Sequence, residues 1–268
     1  MIRTWPSGRA AAWGIAYNGM DEMVWVGDGW GAEDAIFEYE PDGTPTGVSH
    51  NYTWNPTNGP ADAAFNWNSG MLWMMDVGGD NCIHEIDPAT GVTGNTICPG
   101  FAISQRGLAY DSTTDTYFAG SWNDHMVHRF AADGTMLADV NVGLSVSGLA
   151  YNPDTQHLFV QTNGGANDAY VLDVANNYTL VGQFHIGALA SGAGLEIGCD
   201  GSLWAVDQNN ELVYQVESGE ETSVCSQDVP WLNEDPAAGT VAADGTRPIA
   251  VGFDAAYVDQ PGEYHAEL

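Results

Sequence analysis

Apolar positions in this chain come in short runs of four to seven residues, each broken by Gly, Asn, Asp or Pro. The runs are rich in β-branched and aromatic residues, which predicts strands between turns. No stretch holds a 3.6-residue apolar period long enough to predict a helix. One run recurs as "WGIAYN" from Trp13, "ADAAFN" from Ala61, "RGLAYD" from Arg106, "SGLAYN" from Ser147 and "AGLEIG" from Ala193. Its anchors Tyr17, Phe65, Tyr110, Tyr151 and Ile197 are spaced by 48, 45, 41 and 46 residues. A second run follows each copy ("MVWVGD", "MLWMMD", "TYFAGS", "HLFVQT", "SLWAVD"), then a turn and a third run such as "AIFEYEPDG". A fourth, such as "TMLADVNVG", closes most copies.

Four strands per unit of this length predict a blade of a β-propeller. The repeated run is its inner strand, small in the middle because inner strands crowd around a central channel. After "ELVYQVESG" the fifth copy has no fourth run, so Ile2 to Trp5 are expected to supply the outer strand of the last blade. The expectation is an all-β fold: a five-bladed β-propeller over 1–224, closed by the N-terminal strand. From 225 to 268 the repeat stops. Short runs with turns at "DPAAG", "ADG" and "DQPG" predict a partial immunoglobulin-like β-sandwich.

Charge narrows the partners. Thirty-six Asp and Glu face five Arg and no Lys, a formal charge of −31. That excludes nucleic acid, which needs a basic footprint, and disfavours anionic membranes. No apolar run is long enough to suggest a membrane span, and "MIRTWPSGRAAAWG" lacks the apolar stretch of a secretory leader. A segment of a longer polypeptide is therefore expected. Cys82 with Cys98 and Cys199 with Cys225 form two local pairs without zinc-type spacing. Two disulfides in an oxidising compartment fit this spacing; free buried thiols are the other reading.

Three sets of residues are candidates for chemistry. Trp13, Asp62, Arg106, Ser147 and Ala193 start the inner strands and are expected at equivalent places near one mouth of the channel. Asp62 and Arg106, on adjacent blades, would form an ion pair or clamp a ligand. Asp28, Asp76, Ser121, Thr162 and Asp207 each end a second strand. They are expected to bond the backbone of the following turn, or, with Asp28, Asp76 and Asp207 as hard oxygen ligands, to hold calcium. Nearby loops add Glu33, Asp34, Asp80, Asp124 and Asp168. Trp30, Trp67 and Trp122 lie in or beside loops and are candidates for an aromatic shelf that takes sugars, whereas Trp25, Trp73 and Trp204 belong to the core. "NYT" at Asn51 and Asn177 is a glycosylation signal where the host has the machinery. The scattered histidines give no ligand pair, and no nucleophile–base constellation is legible.

"WGIAYN…VWVGD", "LAYDSTTDTYFAGSWN", "GGDNCIHEIDPATG" and "GAGLEIGCDGSLWAVDQNNELVYQV" resemble propeller segments of large secreted bacterial proteins, many of them subtilisin-like serine peptidases with long C-terminal extensions. The final stretch from "DVPW" is similar to the immunoglobulin-like modules that follow such propellers. The resemblance implies an accessory region, since no Gly-x-Ser-x-Gly or comparable nucleophile motif occurs here. The leading expectation is a non-catalytic extracellular module that binds a protein or glycan partner. One rival is a filament or surface-layer subunit, joined to copies of itself by strand sharing at an open sandwich edge. The other is a divalent-metal-dependent lactonase or lyase, which needs three or four ligands converging on the channel.

Overall fold

The computed structural model describes residues 1–29, 33–54, 59–77, 82–101, 105–163, 168–187, 191–225, 232–235 and 245–253. The chain divides into two units, Met1–Cys225 and Ser226–Leu268.

Strand β1 (Arg3–Pro6) precedes five successive sets of strands. The first blade holds β2 (Ala12–Asn18), β3 (Met23–Asp28), β4 (Ala35–Tyr39) and β5 (Pro45–Asn51). The second holds β6 (Pro60–Asn66), β7 (Met71–Asp76), β8 (Ile83–Ile86) and β9 (Thr93–Ile97). The third holds β10 (Gln105–Asp111), β11 (Thr116–Ser121), β12 (Met126–Ala131) and β13 (Met136–Asn141). The fourth holds β14 (Val146–Asn152), β15 (His157–Thr162), β16 (Asp168–Asp173) and β17 (Thr179–His185). The fifth contributes β18 (Gly192–Ile197), β19 (Leu203–Asp207) and β20 (Leu212–Val216). Each set is one antiparallel sheet, and the fifth sheet runs β1-β20-β19-β18, with Trp5 opposite Val213. The five repeats of the sequence are five blades.

The inner strands pack in ring order, β2 on β6, β6 on β10, β10 on β14, β14 on β18 and β18 back on β2. Each is sandwiched between neighbouring blades, so both its faces are buried: every residue of β2, β6 and β14 is buried. Outermost strands such as β5 and β17 are largely exposed. This gradient explains the composition of the runs. Inner strands are mostly apolar and small, with a few buried polar exceptions, whereas fourth strands tolerate "PTGVSHN". The anchors Tyr17, Phe65, Tyr110, Tyr151 and Ile197 all lie in the core, as do Trp25, Trp73 and Trp204. Side-chain amides tie adjacent blades together: Asn66 Nδ2 donates to Tyr117 Oη and Asn68 Nδ2 to Tyr110 Oη, both at 2.7 Å.

Both disulfides form, Cys82–Cys98 within the second blade and Cys199–Cys225 at the end of the fifth, with Cα atoms 4.3 and 5.2 Å apart. Two disulfides fit an oxidising environment. Among the described residues no helix is long and apolar enough to cross a membrane. In the second unit, β21 (Leu232–Asp235) pairs antiparallel with β22 (Ala250–Phe253).

Candidate functional site

The inner strands share a defect at the same place. Ala12 lies opposite Asp28, yet Ile15 lies opposite Val26, so two residues of β2 face one of β3. The slip recurs in β6 between Pro60 and Ala63, in β10 between Gln105 and Gly107, in β14 between Val146 and Gly148, and in β18 between Gly192 and Leu195. Such bulges re-aim a side chain at a sheet's end. Aligned on the anchors, the bulged residues are Trp13, Ala61, Arg106, Ser147 and Ala193. The expectation that Asp62 shares this level is therefore corrected. Asp62 sits one residue deeper, where the other blades carry Gly14, Gly107, Gly148 and Gly194.

That shift matters because a ring of five blades is narrow. A methyl group at Gly194 would stand 2.7 Å from the Trp13 carbonyl oxygen and 2.8 Å from Asp62 Oδ1. One at Gly148 would stand 2.7 Å from the Leu195 nitrogen. Only one blade can place a side chain in this layer, and Asp62 is that side chain. It is fully buried. Its Oδ2 accepts the backbone N–H groups of Leu108 and Leu149, each at 3.1 Å, and its Oδ1 accepts that of Ala63 at 2.9 Å. One carboxyl thus joins the second, third and fourth blades. Glu196 joins the fifth blade to the second further along the axis, where the other blades have Ala16, Ala64, Ala109 and Ala150. Its Oε2 accepts Phe65 N–H at 3.2 Å and its Oε1 accepts Ile197 N–H at 2.9 Å. Burial pushes Asp62 well above the usual carboxylate range, outweighing the amide donors that pull it down. Burial likewise pushes Glu196 up to about 8.

Above these two plugs, at the bulge level, Arg106 reaches across the mouth. Its guanidinium carbon lies 4.9 Å from the ring centroid of Trp13, which belongs to the first blade, and 4.3 Å from that of Trp122, which follows β11. The first and third blades are not neighbours, so the contact bridges the opening over Ala61. The half-buried guanidinium makes no hydrogen bond or ion pair with any described residue, and its Nε is buried without a partner. The expected Asp62–Arg106 ion pair does not form, because both Asp62 oxygens are turned to amides a layer below. Burial lowers the pKa of Arg106.

The other candidates separate from this mouth. Trp67 follows the far end of β6 and is buried, edge-on to Phe65 at 4.9 Å, so it is a core residue and not a sugar shelf. Trp30 and Asp80 lie outside the described residues, as does the Asp168 side chain. Asp28, Asp76 and Asp207 end the second strands of three different blades. Asp207 secures turns: its Oδ1 accepts the N–H of Ser191 at 3.1 Å and of Asn209 at 3.2 Å, and its Oδ2 accepts Asn210 Nδ2 at 2.7 Å. Among the described residues no group of three or more His, Cys, Asp or Glu is placed to hold a metal ion. Sequence reasoning missed Gln161. This side chain is fully buried on β15, with neither amide atom partnered, and lies beside Gly148 and Gly192. A lone polar residue in a buried strand run ("HLFVQT") was the available signal.

The geometry defines a five-bladed β-propeller with an axis plugged by carboxyls and an arginine–indole mouth. No family model matches the chain, and no curated protein matches it. Solved structures do resemble it. A virginiamycin B lyase from Staphylococcus aureus aligns at 15% identity with a TM-score of 0.50, over 82% of this chain and 71% of that one. A chain of a nidogen/laminin complex aligns at 18% and 0.54, over 78% and 77%. A streptogramin B lyase aligns at 17% and 0.48, over 76% of this chain but only 64% of its own length. At these identities the likeness is one of fold.

Proposed function

We propose that this chain is an extracellular binding module, a rigid propeller that presents a contact patch at the channel mouth and performs no chemistry inside the channel. The observation that carries this reading is the state of the two channel carboxyls. Asp62 and Glu196 spend their oxygens on backbone N–H groups of the ring. General acid–base work or metal ligation needs lone pairs directed at a substrate. A half-buried polar group with donors to spare is Arg106, which stands at the mouth. Two disulfides support an oxidising, extracellular setting. The reading takes β1 on β20 as the clasp that closes the ring, and the segment after Cys225 as the front of an immunoglobulin-like module. Its setting beside a secreted peptidase rests on sequence resemblance.

The test is a panel of glycans and secreted proteins applied to the immobilised chain, with Trp122→Ala as the mouth variant and Leu137→Ala on an outer strand as the control. Binding lost in the first and kept in the second supports the reading. Chemical turnover of any panel member, abolished by Glu196→Gln, would overturn it in favour of the lyase alternative.

A further inference from the structure

Arg106 is an anomaly in a chain of −31. With 36 carboxylates available, half-buried arginines here find one: Arg9 pairs with Glu33, and Arg129 Nη2 lies 2.6 Å from buried Asp111 Oδ2. Arg106 alone of these is held by indoles, with no carboxylate from the described residues. The nearest blade's candidate, Asp62, is committed a layer down. A guanidinium over two indoles keeps its charge and is attracted to the rings, but they leave its in-plane N–H fork unused. That fork matches a carboxylate in a bidentate arrangement.

We infer that Arg106, between Trp13 and Trp122, is the receptor for a single carboxylate group on the ligand. The inference rests on the binding-module reading and specifies the ligand's chemistry. A singly charged, planar anion fits better than phosphate or sulfate. One arginine offers one positive charge, and the surrounding field of a strongly acidic protein penalises each further negative charge. The half-buried indole of Trp122 beside the fork offers an apolar edge, so sugar acids head the class and simple aliphatic acids follow.

The experiment is calorimetric and ligand-observed NMR titration of the full chain with glucuronate, glucose, propionate and inorganic phosphate. One fork and one indole edge predict a dissociation constant on the order of 1 mM for glucuronate. Binding of glucose and phosphate should be at least about tenfold weaker, a difference of about 1.4 kcal/mol. Arg106→Gln should abolish carboxylate binding, Arg106→Lys should weaken it about tenfold by losing the fork, and added salt should weaken what remains. Propionate binding as well as glucuronate assigns the site to free acids; glucuronate alone assigns it to sugar acids. Near-UV circular dichroism and urea midpoints check that the variants fold, and competition by propionate against glucuronate on the unmutated chain gives a readout that needs no variant. Equal binding of glucose and glucuronate, or undiminished binding by a folded Arg106→Gln, overturns the inference. Panel binding that survives Arg106→Gln but not Trp122→Ala would overturn it while leaving the binding-module reading intact, whereas turnover sinks that reading itself.

Discussion

Replacing Asp62 by glycine separates two views of the ring. By the repeat, glycine belongs there, because four of the five blades carry it at this level. By packing, the four glycines exist to make room for the one carboxyl that ties three blades. Asp62→Gly removes the acceptor of three buried N–H groups, at 2.9, 3.1 and 3.1 Å. A buried donor left unsatisfied costs about 1–3 kcal/mol. The desolvation cost of the carboxyl is recovered, and water entering the vacated space restores part of the bonding. The expected net loss is still about 3 kcal/mol or more. For a domain of this size that lowers Tm by roughly 6–12 °C. Asp62→Asn fills nearly the same volume and keeps one oxygen acceptor, so it should lose about 1–2 kcal/mol. Urea unfolding with the disulfides oxidised, followed by tryptophan fluorescence, measures both. A glycine variant within about 1 kcal/mol of the parent, or one more stable than the asparagine variant, would refute the packing argument.

Three further outcomes follow from the same ring. Folded Glu196 holds its proton up to about 8 while the unfolded chain releases it near 4.5, so between those values the folded state binds more protons and stability falls as pH rises. Glu196→Gln removes that slope, and the gap between the two stability-versus-pH curves should change by on the order of 3 kcal/mol from pH 5 to 8; parallel curves would show that Glu196 titrates elsewhere. Gly194→Ala drives a methyl to 2.7 Å from the Trp13 carbonyl and should cost about 2 kcal/mol or more, whereas Gly100→Ala, with nothing within 4 Å, should be neutral in the same urea assay. Replacing Cys82 and Cys98 together by serine opens a loop of 16 residues and should cost about 3 kcal/mol by differential scanning calorimetry; an unchanged Tm would mean that the native sheet alone holds β8 against β9.

The blades were legible because their signal is repeated. Strand-length apolar runs, turn residues and a near-constant spacing of anchors each agree five times over, whereas the register slips in β2 and β14 left no mark in the runs. The two disulfides were legible from local pairing of cysteines. The mouth was only half legible. Trp13 and Arg106 stood out as large residues at the start of inner strands, but their contact joins blades 93 residues apart in sequence, and no periodicity reports it. Asp62 was placed at the wrong level although the spacing was there to read: it lies three residues before its anchor Phe65, whereas Trp13 and Arg106 lie four before Tyr17 and Tyr110. Trp67 was mistaken for a loop aromatic because a residue just past a strand end is exposed in most sheets. Here Gly19, whose added methyl would stand 2.5 Å from the Trp67 ring, lets the neighbouring blade cover it.

A ring of five inner strands leaves room for one side chain per layer on its axis, and this geometry sorts the departures from the repeat by depth. Where the repeat has glycine the exception is Asp62, and where it has alanine the exception is Glu196. Each fills its layer and satisfies amides that the small residues expose. A substitution at either level is thus answerable to stability before anything else, however catalytic a buried carboxyl looks in a sequence. The bulge level differs. There the chain leaves the ladder; Ala61 and Ala193 stay buried and Ser147 Oγ donates to the Gln161 carbonyl at 3.1 Å, but a long side chain can extend over the opening. Arg106 does so, reaching the buried Trp13 of a non-adjacent blade, and the guanidinium between Trp13 and Trp122 has donors that no described residue takes. In a propeller this narrow the axis supplies cohesion, and on the proposed binding-module reading recognition falls to the arginine at the bulge level.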